Sequence, residues 1–307
     1  MNRTVIYEKF GGPEVLEIRD TPEPHPQAGQ VRVRVTAVGL NPMDWIFSSM
    51  PQMAQQFGIT LPSGFGTDFA GTIDETGPDV TAFAVGDRVY GGTVGRAATD
   101  HLIVDPTGTD TLEHTPDGLT DDTAGTLSVA GATAAAALAA IDLHEGDTVL
   151  IGGAAGGVGV FAVQLARAAG ARVIGTASPR TFDFLRAFGA EPVAYGPGLA
   201  DRVRALAPDG LTAATDLHGT ETAETALALG VAPHRISTIA AGPNPPGGVR
   251  ATGGANALPG ELKRIAEAVA AGDITVPIEA RFPIEQIQEA VRMQAERHVH
   301  GKIVVTL

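Results

Sequence analysis

The first third of the chain alternates apolar and polar residues with a period of two. Residues 31–38 read Val-Arg-Val-Arg-Val-Thr-Ala-Val, and this strict alternation predicts a β-strand with one buried face. Further short strands are predicted at 70–75, 87–90 and 101–104. Because Gly and Pro residues separate these segments closely, residues 1–119 are predicted to form a small antiparallel or barrel-like β domain.

From residue 120 onward, short apolar strands alternate with helical segments. The strands are predicted at 148–151, 172–176, 213–217 and 235–239, and the helices at 158–169, 180–188, 200–206 and 222–229. Strands that alternate with helices predict a parallel sheet covered on both faces. Residues 120–273 are therefore expected to form a doubly wound α/β domain.

The tail of the chain, residues 274–307, contains an amphipathic helical pattern and a closing strand at 302–307. The simplest arrangement returns this tail to the first domain, which makes that domain discontinuous. The chain as a whole is long enough for two domains.

A glycine-rich turn at residues 153–159 joins the first strand of the second domain to its helix. It reads Gly-Ala-Ala-Gly-Gly-Val-Gly, with a strand before it, a helix after it and a second strand one crossover later. Glycines there allow the backbone N–H groups to approach a phosphate, which the partial positive charge of the helix N-terminus also attracts. This context predicts dinucleotide binding. A purely structural turn is the alternative, since tight turns need glycine for steric reasons alone.

Composition and charge exclude several other classes of function. The chain carries 35 acidic and 21 basic side chains, and its net charge of −14 disfavours nucleic acid and anionic membranes as partners. It has no cysteine, which excludes disulfides and thiolate metal sites. The eight histidines do not cluster at metal-ligand spacing, so no metal is predicted. There is no secretory signal, and no apolar stretch approaches the roughly 20 residues of a membrane span, so a soluble cytoplasmic protein is expected.

Several motifs in a fixed order resemble one protein family. They are 10–16 (Phe-Gly-Gly-Pro-Glu-Val-Leu), 39–44 (Gly-Leu-Asn-Pro-Met-Asp), 66–71 (Gly-Thr-Asp-Phe-Ala-Gly), 85–89 (Val-Gly-Asp-Arg-Val), 154–159 and 301–304 (Gly-Lys-Ile-Val). With these motifs the chain resembles the zinc-independent branch of the medium-chain dehydrogenase/reductase superfamily, the quinone oxidoreductase (zeta-crystallin-like) family. The resemblance implies a GroES-like, β-rich catalytic domain and a Rossmann NADP-binding domain, with NADPH and substrate in the cleft between them. It also implies hydride transfer to quinones or activated C=C bonds, and a homodimer.

Two departures from related proteins bear on the chemistry. Metal-dependent relatives carry a Cys and a His where this chain has Asn41 and Thr67, which implies that the catalytic zinc is absent. Several quinone reductases have a tyrosine near the nicotinamide where this chain has Trp45.

The choice of cofactor depends on the residues after the second strand of the α/β domain. NAD-binding folds usually place an acidic residue there, whereas this chain has Ser178 and Arg180, which can bind a 2′-phosphate. NADP is therefore favoured, although Ser178 is also an ordinary helix cap. The predicted cofactor-binding residues are Asn41, Pro42, Thr133, Gly153, Ala155, Gly156, Gly157, Val158, Thr176, Ser178, Arg180, Tyr195, His218, Ile239, Ala240 and Lys302.

The catalytic candidate is Asn41, which is predicted to hold and polarise the acceptor oxygen, although a simple turn residue is the alternative. Trp45, Phe47 and Met50 are predicted to line an apolar substrate pocket, although core packing would use the same residue types. The sequence shows no clear proton donor.

These features favour an NADPH-dependent reductase that transfers hydride to a quinone or a similar activated carbonyl compound, without metal. One alternative is an enoyl or enone C=C reductase in a biosynthetic pathway. A non-catalytic NADPH-binding sensor or structural protein is the other.

Overall fold

A computed structural model describes residues 1–242 and 244–307, which form two compact units. The first unit comprises Met1–Val129 together with Lys263–Leu307, and the second comprises Ala130–Leu262. Residues 120–129 and 263–273, predicted for the second domain, thus lie in the first unit. The hydroxyl of Thr36 donates a hydrogen bond to Asp121 (2.7 Å), and Arg88 pairs with the same carboxylate, so the segment after residue 120 is bound to the β-rich unit.

The first unit is built on β-strands. Its strands are β1 (Asn2–Tyr7), β2 (Glu17–Thr21), β3 (Val31–Leu40), β4 (Ser63–Gly64), β5 (Asp68–Thr76), β6 (Arg88–Gly92), β7 (His101–Val104), β8 (Thr111–His114), β15 (Ile278–Pro283) and β16 (Lys302–Thr306). Within the described residues, one sheet has the order β15-β16-β3-β5-β6-β8, with β7 also paired to β3, and a smaller sheet has the order β2-β1-β4.

The closing strand β16 lies beside β3 in the larger sheet. β16 pairs with β3 antiparallel, with Ile303 opposite Leu40, so the start of β16 meets the end of β3. The side chains of β3, β5 and β16 that face inward include Val38, Phe69 and Val305, each fully buried. Val31, Val33 and Val35 are buried as the alternation predicts, whereas a shift of register between Val35 and Ala37 breaks the alternation and leaves both Ala37 and Val38 buried.

Short helices connect these strands. They are α1 (Pro42–Ser49), α2 (Pro51–Gln56), α3 (Asp121–Ala124) and α10 (Ile287–Ala295), while α4 (Ser128–Ala139) and α9 (Glu261–Ala271) cross from one unit into the other. The sequence analysis predicts neither α1 nor α2. Both begin with a proline at the first helical position, which suits a helix start because its missing N–H has no partner there in any case.

The second unit contains a parallel sheet with helices. Its elements are β9 (Thr148–Gly152), α5 (Gly157–Ala168), β10 (Arg172–Ala177), α6 (Phe182–Ala187), β11 (Glu191–Ala194), α7 (Leu199–Leu206), β12 (Ala213–Asp216), α8 (Glu221–Ala228), β13 (Ile236–Thr238) and β14 (Arg250–Ala251). Within the described residues the strand order is β11-β10-β9-β12-β13-β14, and every pair is parallel. This is the order of a Rossmann fold, in which the chain adds strands on one side of β9 and then, from β12 onward, on the other side.

The predicted fold class is confirmed: a β-rich GroES-like unit and a doubly wound parallel-sheet unit. Among the described residues, no helix is both long and apolar enough to cross a bilayer.

Candidate functional site

The glycine turn at 153–159 follows β9, the strand at which the order of strands in the parallel sheet changes side. Gly153 has a φ of +68°, a backbone conformation that L side chains rarely adopt. Its N–H donates to the hydroxyl of Thr176 on the neighbouring strand (3.1 Å). Gly156 is the N-cap of α5 and has no side chain to cap it, so the first N–H groups of the helix are left for a ligand. Such a helix N-terminus binds anions.

The space around each glycine shows whether the fold itself requires a glycine there or only a bound ligand would. A Cβ on Gly159 would lie 2.3 Å from the carbonyl oxygen of Gly153 and 2.5 Å from that of Ala154. Gly159 is therefore needed for the close approach of helix and turn. A Cβ on Gly156 would lie 3.4 Å from the Gly153 oxygen and would meet no other described heavy atom within 4 Å. The fold therefore leaves room at Gly156.

The second strand of this unit ends at the predicted 2′-phosphate site. Ala177 pairs with Ala194 at the end of the two strands, so Ser178 and Tyr195 are the first residues after this last pair. The Arg180 side chain is exposed and makes no hydrogen bond or ion pair with the described residues, while the Tyr195 side chain is 58% exposed. Arg202 donates to the backbone oxygens of residues 194–197 at 2.8–3.2 Å and so fixes the Tyr195 loop.

Asp216 organises the end of β12, a role that the sequence analysis missed. It is 2% exposed, and its carboxylate accepts four backbone N–H groups, those of His218, Gly219, Thr222 and Ala223, at 2.8–3.2 Å. The negative charge at the N-terminus of α8 stabilises that helix. His218, a predicted cofactor residue, is exposed beside it.

The remaining predicted cofactor residues divide between the units. The carboxyl end of the parallel sheet and the turn beside it bring together Gly153, Ala155, Gly156, Gly157, Val158, Thr176, Ser178, Arg180, Tyr195, His218, Ile239 and Ala240. Thr133 lies on α4 at 7% exposure, and a Cβ on Gly254 would lie 3.2 Å from its hydroxyl oxygen. Asn41, Pro42 and Lys302 lie in the first unit, with Pro42 exposed at the start of α1.

A buried polar cluster occupies the first unit where α1, β5 and β16 begin. Its members are Asn41, Asp44, Thr67, Asp68 and Lys302, each at most 4% exposed. Asp44 accepts a hydrogen bond from the backbone N–H of Asn41 (2.8 Å) and makes a second with the Thr67 hydroxyl (2.8 Å). Asp68 accepts the side-chain amide of Asn41 and the backbone N–H of Val129, both at 2.9 Å.

Lys302 places a positive charge inside this cluster. Its ammonium donates to the side-chain oxygen of Asn41 (2.5 Å) and the backbone oxygen of Leu40 (3.1 Å), and lies 3.8 Å from Asp68. Two of its protons are therefore used in hydrogen bonds inside the unit, and Asp68 attracts the ammonium from a longer distance, while the cofactor contact of Lys302 stays a prediction.

The side chain of Asn41 has all of its donors in hydrogen bonds within the unit. Its amide N–H groups donate to Asp68 and to the backbone oxygen of Gly39 (3.3 Å), and its oxygen accepts from Lys302. No amide proton is left to polarise a substrate oxygen, which was its predicted catalytic role. The same contacts leave it no donor for a cofactor. The physical reason is the buried pair of charges on either side of it, which the sequence did not reveal.

Burial shifts the ionisation of all three charged members. It raises the pKa of Asp44 to about 7, although hydrogen bonds from Asn41 and Thr67 oppose the shift. Burial also raises the pKa of Asp68, against the lowering effect of the Lys302 charge, and lowers the pKa of Lys302. Perturbed ionisable groups of this kind are concentrated at functional sites.

The predicted substrate-pocket residues differ in exposure. Phe47 is 3% exposed, and its ring lies 4.7 Å from that of Phe57 between centroids, so it is a packing residue. Met50 is 45% exposed. The Trp45 ring packs partly on the core beneath the Arg297 guanidinium, 5.7 Å from the ring centroid, and its buried Nε1 has no hydrogen-bond partner among the described residues.

The buried cluster does not fit a zinc ion. Zinc sites use Cys, His and carboxylate ligands, whereas this chain has no cysteine and the cluster already holds the Lys302 ammonium beside its oxygens. In the described part of the chain, no group of three or more His, Asp or Glu side chains is arranged to hold a metal ion.

Comparison with known proteins identifies the family. Residues 27–140 match the model of the alcohol dehydrogenase GroES-like domain, and residues 188–305 match that of the zinc-binding dehydrogenases. A quinone oxidoreductase of Pseudomonas aeruginosa is 34% identical to the chain over 99% of each sequence. The chain belongs to the medium-chain dehydrogenase/reductase family.

Solved structures agree with this assignment to the medium-chain dehydrogenase/reductases. A mycobacterial protein in complex with NADPH has a TM-score of 0.86 and 28% identity over 100% of both chains. The CurK enoyl reductase has a TM-score of 0.87 and 25% identity over 99% of both. The family predicted from the sequence is thus confirmed, and the chain is an oxidoreductase.

Proposed function

We propose that this protein is an NADPH-dependent oxidoreductase that transfers a hydride, without metal, to a quinone or a similar activated carbonyl compound. The observation that carries the proposal is the anion site of the second unit. There the uncapped N-terminus of α5 follows β9, and β9 pairs with β10. Ser178 and the exposed Arg180, which has no partner among the described residues, come directly after β10. A dinucleotide with a 2′-phosphate suits these groups, since the first receives the pyrophosphate and the second the extra phosphate. A neighbour in complex with NADPH supports this choice.

The chain's own residues bind and orient the cofactor. The backbone N–H groups at Gly157 and Val158 receive the pyrophosphate, and Ser178, Arg180 and Tyr195 surround the adenosine phosphate. Local positive charge is needed because the protein carries a net charge of −14, which opposes an anionic ligand elsewhere on its surface. When bound, NADPH supplies the hydride, and the protein supplies orientation and electrostatics.

A quinone or carbonyl substrate is supported by the relatives that are quinone oxidoreductases. Trp45 and Met50 offer partly exposed apolar surface suited to such a molecule. Asn41 takes a positioning role: it links Asp68 to Lys302 instead of touching the acceptor.

An enone C=C reductase is the second candidate, because the chain also resembles the CurK enoyl reductase. Both reactions add a hydride and a proton to a conjugated carbonyl compound. The experiment is NADPH oxidation by purified protein with a panel of quinones and of enones. We expect turnover with at least one quinone. Turnover with enones alone would favour the second candidate, and tight NADPH binding without turnover would indicate a sensor or structural protein.

The metal-free chemistry has its own test. We expect turnover to survive prolonged treatment with a chelator, because the buried cluster holds an ammonium among its oxygens. Stoichiometric metal in the purified protein, with activity lost on its removal, would contradict this part of the proposal.

A further inference from the structure

The reaction proposed above consumes a proton as well as a hydride, and the buried polar cluster contains a group suited to supply it. Asp44, Asp68 and Lys302 together bear one net negative charge when all three are ionised. An uncompensated buried charge is costly, so the cluster favours one additional proton that makes it neutral.

The hydrogen bonds show which carboxyl group holds that proton. Each oxygen of Asp68 accepts one N–H group at 2.9 Å, and the carboxylate faces the Lys302 ammonium, so a proton on either oxygen would weaken these contacts. On Asp44, one oxygen accepts the N–H of Asn41, while within the described part of the chain the other oxygen has the Thr67 hydroxyl as its one partner, at 2.8 Å. A hydroxyl either donates or accepts, so Asp44 is the member that can be protonated without losing a hydrogen bond.

Protonation of Asp44 reverses the hydrogen bond to Thr67. The carboxyl O–H then donates to the Thr67 oxygen, and the proton of the Thr67 hydroxyl becomes free to donate elsewhere. Thr93 lies beside Thr67, since its N–H donates to the Thr67 backbone oxygen (2.9 Å). The Thr93 hydroxyl is buried and has no partner among the described residues, so a polar atom of a bound molecule would satisfy it.

We propose that Thr67 is the catalytic residue that donates the proton to the reduced substrate, and that Asp44 supplies this proton through Thr67. The inference rests on the proposed function. Reduction of the acceptor would leave a negative charge on its oxygen. That oxygen takes the hydroxyl proton of Thr67 as the Asp44 proton moves to the Thr67 oxygen, which leaves a carboxylate on Asp44. Solvent returns the proton to Asp44 after the product has left.

The groups that face Asp44 set its titration. Asp68 from β5 opposes its ionisation, Lys302 from β16 favours it, and Tyr7 on β1 is close enough to interact electrostatically. Burial remains the largest influence and raises the pKa of Asp44 to about 7. Because the acid must be protonated to act, turnover is expected to fall as the pH rises through about 7.

The decisive variant is Asp44→Asn. An amide at this position can still donate to Thr67 and accept from the backbone of Asn41, so it mimics the neutral acid but has no proton to give. We expect kcat to fall by about 10²- to 10⁴-fold, the usual contribution of a positioned acid, with the Kd for NADPH unchanged and the pH break near 7 lost. Thr67→Val should show the same fall, and Thr67→Ser should restore turnover and the pH break.

A second measurement does not depend on turnover. In infrared difference spectra between about pH 5 and about pH 9, wild type should show a protonated-carboxyl band that Asp44→Asn lacks. Wild-type turnover or an unchanged pH break in Asp44→Asn would overturn the inference, as would absence of the band at neutral pH. If wild type instead turns over no acceptor at all, the proposed function itself fails, and the band still reports whether Asp44 holds a proton.

Discussion

The glycine turn of the second unit and the buried polar cluster of the first are built in opposite ways. The turn offers backbone N–H groups and space within one short run of sequence. The negative charge that these groups would bind belongs to the proposed ligand. The cluster is built of polar and charged side chains from elements up to 261 positions apart, and the partners of its charges lie within the fold itself. Changes at the turn should therefore act mainly on cofactor binding, and changes in the cluster on stability and proton transfer.

The largest expected effect is in the cluster. Lys302→Met removes a cation that acts on both buried carboxyl groups, and breaking a buried pair in this way typically costs about 3–5 kcal/mol. The free energy of unfolding, measured in urea at neutral pH, should fall by that amount. Lys263→Met, at an exposed position on α9, is the control and should change it little.

The pH dependence of this loss tests its electrostatic origin. Burial raises the pKa of Asp44 and of Asp68, so protonation at low pH removes the charge that the variant leaves unpaired. A carboxyl group with a raised pKa destabilises the fold when it is ionised, so the loss should shrink as the pH falls through the raised pKa of Asp68. A loss that stays the same at every pH would mean that Lys302 contributes packing alone.

The next largest effect is expected at Arg180, the positive charge that the second unit is proposed to offer to NADPH. Arg180→Ala should weaken NADPH binding by about ten- to a hundredfold, because a hydrogen bond to a charged group is worth about 1.5–3 kcal/mol. NADH, which lacks the 2′-phosphate, should bind almost as before, and the difference should shrink as salt rises. Arg186→Ala, which removes an exposed arginine paired with Asp183, is the control and should affect neither cofactor. Equal weakening of both cofactors by Arg180→Ala would remove the main support for NADPH.

The same contrast explains how far the sequence could predict the molecule. The strand at 31–38, the parallel sheet and the glycine turn were predictable because each follows from a short local pattern of apolar residues and glycines. The cluster was not, because its members meet only after β3, β5 and β16 pair. Asn41 was predicted as a donor to substrate, yet both of its amide protons bind inside the fold. The Asn41, Asp44, Thr67 and Asp68 motifs were visible in the sequence, but their burial was not.

Helix α1 was missed for a related reason. Its eight residues mix apolar side chains with Asp44 and two serines, so no clear period of 3.6 residues appears. The helix begins at Pro42, and Asp44 accepts the N–H of Asn41 just before it. The signal that could have found it is the Asn-Pro pair followed by an acidic residue at the third helical position, which is typical of a helix start.

The smallest expected effects separate structure from binding within the turn itself. In Gly159→Ala the new methyl group would lie 2.3 Å from a backbone oxygen that cannot move freely, and overpacking of this kind costs about 1–3 kcal/mol. Urea unfolding should show that loss. Gly156→Ala should keep wild-type stability, because its φ of −78° suits alanine and no described atom is closer than 3.4 Å.

Gly156→Ala should weaken cofactor binding although it keeps its stability. The methyl group in Gly156→Ala stands at the N-terminus of α5, where the pyrophosphate is proposed to approach the backbone, so it should weaken NADPH and NADH equally in a stable protein. That pattern differs from Arg180→Ala, which should discriminate between the two cofactors. Titration of both cofactors into Gly156→Ala by calorimetry measures it. Unchanged binding of both cofactors, in a folded protein, would show that the turn serves only to join β9 to α5. The turn would then not be a ligand site, and the contrast with the buried cluster would fail.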